Sequence, residues 1–344
     1  MRALGLTTAI IGTLVSGCAY QSYSAKPLEV TAIASEFRQR DPLSQDFQSY
    51  LKSQGYDEQQ LPIQHWGLNE LTYSALYFHS DLDVARAMWR STQAGESIAG
   101  LRPNPGISGG IERHSDTENG ISPWTFLLAI DIPIETGGKR QARMDSASSL
   151  SEASRIEVAQ AAWKVRSRVH ASWIAYQAAL SQTQLLEEEL SLRTEIVEML
   201  EARLRAGMVS SLETANARLL LQKNQQQLDT EKAKLAEHES KLANHAGLSL
   251  TGLNKITLAS ADKALLKTQR EHFISDSEAF DKLQEAALLN RLDVRAALAR
   301  YDATEAKLRL EIARQYPDIV LSPGYSYDQG DKIWSIGIST LLSL

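Results

Sequence analysis

Between residues 68 and 101 apolar side chains recur at three- and four-residue steps, through Leu71, Ala75, Leu76, Leu82, Ala85, Met88 and Trp89. That is the spacing of one face of an α-helix. Arg102-Pro103-Asn104-Pro105 ends it, since each proline removes a backbone donor and pushes its predecessor extended. The period then falls to two. Gly106 to about Arg113 reads as one strand, and in a second Trp124, Phe126, Leu128, Ile130 and Ile132 share a face before Pro133 and Gly137-Gly138 close it. From Lys139 to Arg205 there is neither Gly nor Pro, a run of about 100 Å if helical at 1.5 Å per residue. Val165, Val169, Ser172, Tyr176 and Ala179, then Leu186, Leu190, Val197, Leu200 and Leu204, make its apolar seam. Gly207 interrupts. A second helix is predicted from Ser211 to about His245, with Leu221, Leu228, Leu235 and Leu242 seven apart. Sustained heptads predict helices supercoiled on neighbours, a tall hairpin over 139–246.

The pattern repeats. Leu82-Asp83-Val84 recurs as Leu292-Asp293-Val294, each in a helix that begins with Ala-Leu (Ala75-Leu76, Ala287-Leu288) and runs to a proline turn, Arg102-Pro103 or Tyr316-Pro317. Each turn leads into paired strands, 105–133 and 317–344, whose second member carries a tryptophan, Trp124 or Trp334. Trp334, Ile336 and Ile338 alternate with smaller or polar neighbours, and the chain ends at Leu344. The expected organisation is a leader (1–17), an arm with short helices (18–67), a first repeat (68–284) and a second repeat (285–344) lacking its long hairpin. The chain is expected to be truncated within that second copy.

Composition narrows the classes. A net charge of −6 without a basic stretch argues against nucleic acid as partner. Arg2 followed by the apolar run Ala3–Val15 is a targeting segment too short to span a bilayer. Leu14-Val15-Ser16-Gly17-Cys18 then resembles the bacterial lipoprotein box, making Cys18 the predicted site of lipid attachment. Ala19 is compatible with sorting to the outer membrane. Cys18 is the chain's single cysteine, so it forms no intramolecular disulfide. The seven histidines are scattered, and His238 and His245, seven apart on one helix, lie about 10.5 Å apart along its axis, too far for one ion. No metal site, cofactor or catalytic constellation is expected. Asp131, Glu135, Asp328 and Asp331 border the strands, either facing a lumen or interface or simply solvated.

Several segments together resemble the TolC-like outer-membrane efflux family. They are Ala75–Ala87 with the Arg102–Pro105 turn, and Ile132-Pro133-Ile134-Glu135-Thr136-Gly137-Gly138-Lys139-Arg140 at the passage from strand to long helix. To these add Arg203-Leu204-Arg205-Ala206-Gly207-Met208-Val209-Ser210-Ser211-Leu212-Glu213 at the turn between long helices, and Asn290–Val294 with Tyr316-Pro317-Asp318-Ile319 in the second copy. The resemblance covers residues 68–344 and looks closest to the lipoprotein branch serving resistance-nodulation-division pumps, heavy-metal exporters included. It implies a mainly α fold with membrane β-strands: a long coiled-coil hairpin for an α-barrel, and β-hairpins for one β-barrel shared by a homotrimer. It also implies export of metal ions or small toxic compounds in company with a periplasmic adaptor and an inner-membrane pump. Arg203, Gly207, Met208, Val209, Ser210 and Leu212 would form the adaptor-contact tip. Trp124, Phe126, Leu128, Ile130, Trp334, Ile336 and Ile338 would face outer-membrane lipid. The competing classes are a periplasmic adaptor and a structural coiled-coil lipoprotein. Gly-rich β-segments flanking the hairpin would mark the first, and absence of Trp strands the second.

Overall fold

The computed structural model describes residues 24–25, 27–115, 120–260 and 277–340. The leader, Cys18 and the last four residues of the chain lie outside them. The chain divides into two compact units, 1–40 and 41–344. In the first, Val30–Gln39 forms helix α1.

The second unit opens with helix α2 (Gln45–Ser53), where Ser44 Oγ accepts from Phe47 N–H. A two-residue strand, β1 (His65–Trp66), leads into helices α3 (Leu68–Phe78) and α4 (Ser80–Ala99). Strands β2 (Gly106–Arg113) and β3 (Trp124–Ile134) follow, then the long helices α5 (Lys139–Arg205) and α6 (Ser211–His245). After the single turn α7 (Leu250–Leu253), strand β4 (Thr257–Leu258) pairs parallel with β1. Helices α8 (Ser277–Asn290) and α9 (Leu292–Ala313) and strands β5 (Ile319–Asp328) and β6 (Asp331–Thr340) complete the described chain.

The helix expected over 68–101 is two helices. His79 takes an extended backbone (φ −76°, ψ 122°) and its Nδ1 accepts the Asp81 N–H at 3.2 Å, so it caps α4 while ending α3. The second copy also breaks, at Arg291 (φ −61°, ψ 124°), and α8 runs across the 284/285 division. Leu82-Asp83-Val84 occupies the third to fifth positions of α4, whereas Leu292-Asp293-Val294 opens α9. The stretch from motif to proline is one helical turn longer in the second copy. A shorter strand loop, the two-residue turn Gln329–Gly330 at positive φ, restores the spacing of the tryptophans.

Helix α5 is the spine against which α3, α4, α6 and α9 all pack. Along α6 the covered positions step by three and four from Thr214 to His245, the strict 3.5-residue period of a left-handed supercoil. Leu221, Leu228, Leu235 and Leu242 alternate there with Asn224, Glu231, His238 and His245. Two cross-helix ion pairs hold the register, Arg218–Glu201 at 2.6 Å and Lys232–Glu187 at 2.9 Å. Fourteen residues, two heptads, separate both the cations and the carboxylates. Toward α9 the contact is narrower: Ala296, Ala299, Ala303 and Ala306 are buried, and the approach is close enough for Ser146 Oγ to donate to Ala303 O at 2.9 Å.

The main core lies at the base of the hairpin. Phe47, Leu51, Trp66, Leu71, Val165, Val169, Leu242, Leu248 and Leu253 pack there with almost no exposure, each larger side chain contributing about 1.5–3 kcal/mol. This core ties α2, α3, α5 and α6 into one body, and Ser74 Oγ donates to Ala246 O at 3.0 Å across it.

Candidate functional site

At the far end of the hairpin α5 stops in a Schellman turn. Gly207 has φ 69°, its N–H bonds Leu204 O, and Met208 N–H bonds Arg203 O, both at 2.9 Å. Ser210 then caps α6, its Oγ accepting from Glu213 N–H at 3.2 Å. This double capping brings Arg203, Gly207, Met208, Val209, Ser210 and Leu212 together on one turn. Met208 is 75% and Leu212 70% exposed, Val209 is half-buried, and the Arg218–Glu201 pair pins the helices just behind them. The result is a rigid apolar point on a charged stalk.

At the opposite end the four long strands form one antiparallel sheet in the order β2-β3-β5-β6. Its register settles what alternation alone suggested. Trp124, Phe126, Leu128 and Ile130 of β3 lie on the same face as Tyr327, Tyr325, Pro323 and Leu321 of β5, and Trp334, Ile336 and Ile338 of β6 continue it. Ile107 and Ile111 of β2 complete this face. It is exposed: Trp334, Ile336 and Ile338 are 74–82% accessible. Aromatic rings gather near the loop end, with Tyr325 and Trp334 4.9 Å apart, Phe126 and Tyr327 6.5 Å apart, and the Arg113 guanidinium 5.6 Å from the Trp124 ring. The reverse face is mostly polar, though Leu127 and Ile333 share it. There Thr125 Oγ1 donates to Asp328 Oδ1 and Ser322 Oγ to Asp131 Oδ1, both at 2.5 Å. The Asp131 bond bridges the place where the β3–β5 ladder is interrupted next to Pro323.

A clasp joins sheet to helices, and the sequence pattern did not single it out. Arg143 reaches back from α5 to bond Glu135 through its two terminal guanidinium nitrogens (2.6 and 3.1 Å) and also donates to Ala99 O and Leu101 O. Lys139 Nζ bonds Asp318 Oδ1 at 2.7 Å, the oxygen that also accepts the Thr136 N–H. The i, i+4 spacing of Lys139 and Arg143 after Gly137-Gly138 was the signal available. A cleft of about 720 Å³ opens beside the clasp, and its charged walls (Lys139–Asp318, Arg143–Glu135, Arg314–Glu311) are already paired. Among the described residues, no group of three or more His, Cys, Asp or Glu is placed to hold a metal ion.

A two-faced sheet riding on a long coiled-coil hairpin has counterparts among known proteins. The family model described as outer membrane efflux protein matches residues 71–248, just over half of the chain. The chain belongs to the outer membrane efflux protein family. The cobalt-zinc-cadmium resistance protein CzcC of Cupriavidus metallidurans is 27% identical over 248 residues, covering 72% of this chain and 55% of that protein. The pyoverdine export outer membrane protein OpmQ of Pseudomonas putida is 27% identical over 286 residues, covering 76% and 58%. The chain therefore spans little more than half the length of the curated relatives it matches. In fold it is similar to the crystal structure of the outer membrane protein VceC of Vibrio cholerae, with a TM-score of 0.60 at 22% identity over 80% of this chain and 68% of that one. In this outer membrane efflux protein the family match contains the whole tip, Arg203 to Leu212, and strands β2 and β3, while β5 and β6 fall beyond it.

Proposed function

We propose that the chain is a subunit of an outer-membrane duct that exports small solutes as part of a tripartite efflux system. The observation that supports this best is the sheet: one face apolar and ringed with aromatics, the other largely polar, both edges open, mounted on the coiled-coil hairpin. Its strands of 8–11 residues suit a bilayer crossing. Unpaired edges in lipid cost several kcal/mol per backbone group, so the sheet has to close with strands of other copies. A homotrimer, expected from the family resemblance, accomplishes this, with Trp124, Phe126, Leu128, Ile130, Trp334, Ile336 and Ile338 against lipid. The exposed tip at Met208 and Leu212 is then the contact for a periplasmic adaptor and, through it, an inner-membrane pump. Cys18 carries a lipid anchor. Metal ions or small toxic compounds are the cargo, a reading the likeness to CzcC supports.

The test is to isolate the chain from outer membranes and run it unheated on a denaturing gel. A heat-sensitive band at trimer size is expected, and a chain that migrates only as a monomer would sink the proposal. For the tip, Met208→Cys carrying a photo-cross-linker should capture a helical-hairpin adaptor, and labelling no greater than from Leu219→Cys higher on the stalk would remove that assignment.

A further inference from the structure

Helix α1 sorts its ten residues by kind around its axis. Val30, Ile33, Ala34 and Phe37 follow i, i+3, i+4, i+7 spacing and make one apolar face, yet no residue of the helix is buried. Val30 is 77% and Ile33 51% exposed, and Leu28, just ahead of the helix, is 85% exposed. Thr31, Ser35 and Gln39 lie on the other side. At about 100° per residue, Arg38 and the C-cap residue Arg40 fall about 80° to either side of Val30, on the two borders of the apolar face. Their side chains run along it. Arg38 Nε donates to Ala34 O at 3.2 Å, and the Arg40 guanidinium carbon lies 5.0 Å from the centre of the Phe37 ring. The carboxylates of Glu29 and Glu36 fall farther round, at about 100° and 120° from Val30.

We infer that α1 is an interfacial helix that lies flat on a phospholipid surface, the periplasmic leaflet of the outer membrane. The inference rests on the reading of Cys18 as a lipid anchor in that membrane. Twelve residues lead from Cys18 to Val30, a reach of at most about 40 Å. An anchored Cys18 thus holds α1 within that distance of the bilayer, and the tether supplies the effective concentration that so short a helix needs. Leu28, Val30, Ile33 and Phe37 then sink to the acyl boundary, while Arg38 and Arg40 keep their stems in apolar surroundings and extend their guanidinium groups to phosphate. The paired borders favour lipid over a protein groove. A groove would have to place an anion along each flank of the helix, whereas a phospholipid surface offers phosphates on every side.

Contact quenching tests this on the full chain in vesicles of phosphatidylethanolamine and phosphatidylglycerol. An environment-sensitive fluorophore is attached at Ile33→Cys on the apolar face or at Ser35→Cys, about 160° away, with the unaltered chain as the control for label on Cys18. Replacing the lipids by ones with brominated acyl chains should quench the probe at position 33 by about twofold or more and leave the probe at position 35 almost unchanged. Adding Phe37→Asp to Ile33→Cys should abolish the quenching. A probe at position 33 that stays in water overturns the inference. So does one shielded from water but not quenched by bromine, which would mean that protein, either this chain's own or a second copy's, covers the face. Mass spectrometry of the N-terminal peptide reports the anchor separately. Quenching without acylation upholds the interfacial helix and removes the Cys18 reading, and acylation without quenching does the reverse.

Discussion

Gly207 and Gly247 hold nearly the same backbone angle, φ 69° and 77°, after the two long helices, but their surroundings differ. A Cβ on Gly207 would meet nothing within 4 Å, whereas one on Gly247 would lie 2.9 Å from Phe78 Cβ and 3.1 Å from its carbonyl carbon. Gly207→Ala should therefore cost only the left-handed backbone penalty, about 1 kcal/mol. Gly247→Ala adds overpacking against the α3 terminus and should cost about 2–4 kcal/mol. Urea denaturation of both variants checks this, and equal losses would mean that the end of α3 yields freely. A second contrast at this scale concerns pH. Burial, and then the nearby Arg168 cation, push the His245 imidazole below its ordinary range, and its Nδ1 is buried without a partner. Arg168 is already committed to Asp81 at 2.5 Å, and Lys241 adds a further positive charge. The folded chain thus binds fewer protons at this site than the unfolded one. Stability must fall as pH drops through about 6.5. Thermal melting at pH 7.5 and 5.5 should show a smaller acid loss in His245→Gln than in the unaltered chain, and an identical loss in both would exclude this residue.

Helices α5 and α6 show how far an element can be read from its residues. Their limits were legible because no Gly or Pro intervenes between Lys139 and Arg205 and because Gly207 can adopt the turn a reversal needs. The leucine heptad gave the seam but not its other half. Asn224, which is 2% exposed with neither amide atom hydrogen-bonded, looks in sequence like one more polar helical residue in a run of glutamines. An unpaired buried amide costs about 1–3 kcal/mol, and Leu is of similar size. Asn224→Leu should stabilise the hairpin by about that amount, read as a higher denaturation midpoint. Destabilisation would instead mean that a trapped water satisfies the amide. Other features were hidden because their causes lie far off in sequence. The break at His79 faces Gly247 across the base, β1 and β4 pair through two residues each, and the Glu135–Arg143 clasp closes onto carbonyls of residues 99 and 101. Arg143 shows that such contacts matter energetically. Arg143→Met would strand Glu135, whose side chain is 13% exposed, and should cost about 2–3 kcal/mol. Arg143→Lys, retaining charge but not the fork, should recover only part of it.

At the scale of the whole molecule the decisive fact is that, among the described strands, β2 and β6 are both free edges of one antiparallel sheet. The strands alternate in direction from β2 to β6, so β6 of one copy can meet β2 of another antiparallel, and repetition of that joint closes a barrel without any parallel pair. In lipid such closure would satisfy the edge groups that no other described strand reaches. A joint of β6 to β2 would be heterologous, and a heterologous joint stays finite only where its rotation closes a ring. Cysteines placed on both edges make this measurable. With Cys18 as the background control, Ile111→Cys on β2 combined in turn with Trp334→Cys, Ile336→Cys or Ile338→Cys on β6 scans the register of the joint. Cα atoms of paired strands lie about 4.5–5.5 Å apart, within disulfide reach, and both partners face the same side of the sheet. At least one combination should oxidise in membranes to a ladder of dimer and trimer that stops at trimer. Each single-cysteine variant should remain free of the ladder. If no combination cross-links in membranes, the edges are covered by something other than a second copy. If the ladder continues past trimer, the joint is real but the ring is larger than the family resemblance implies.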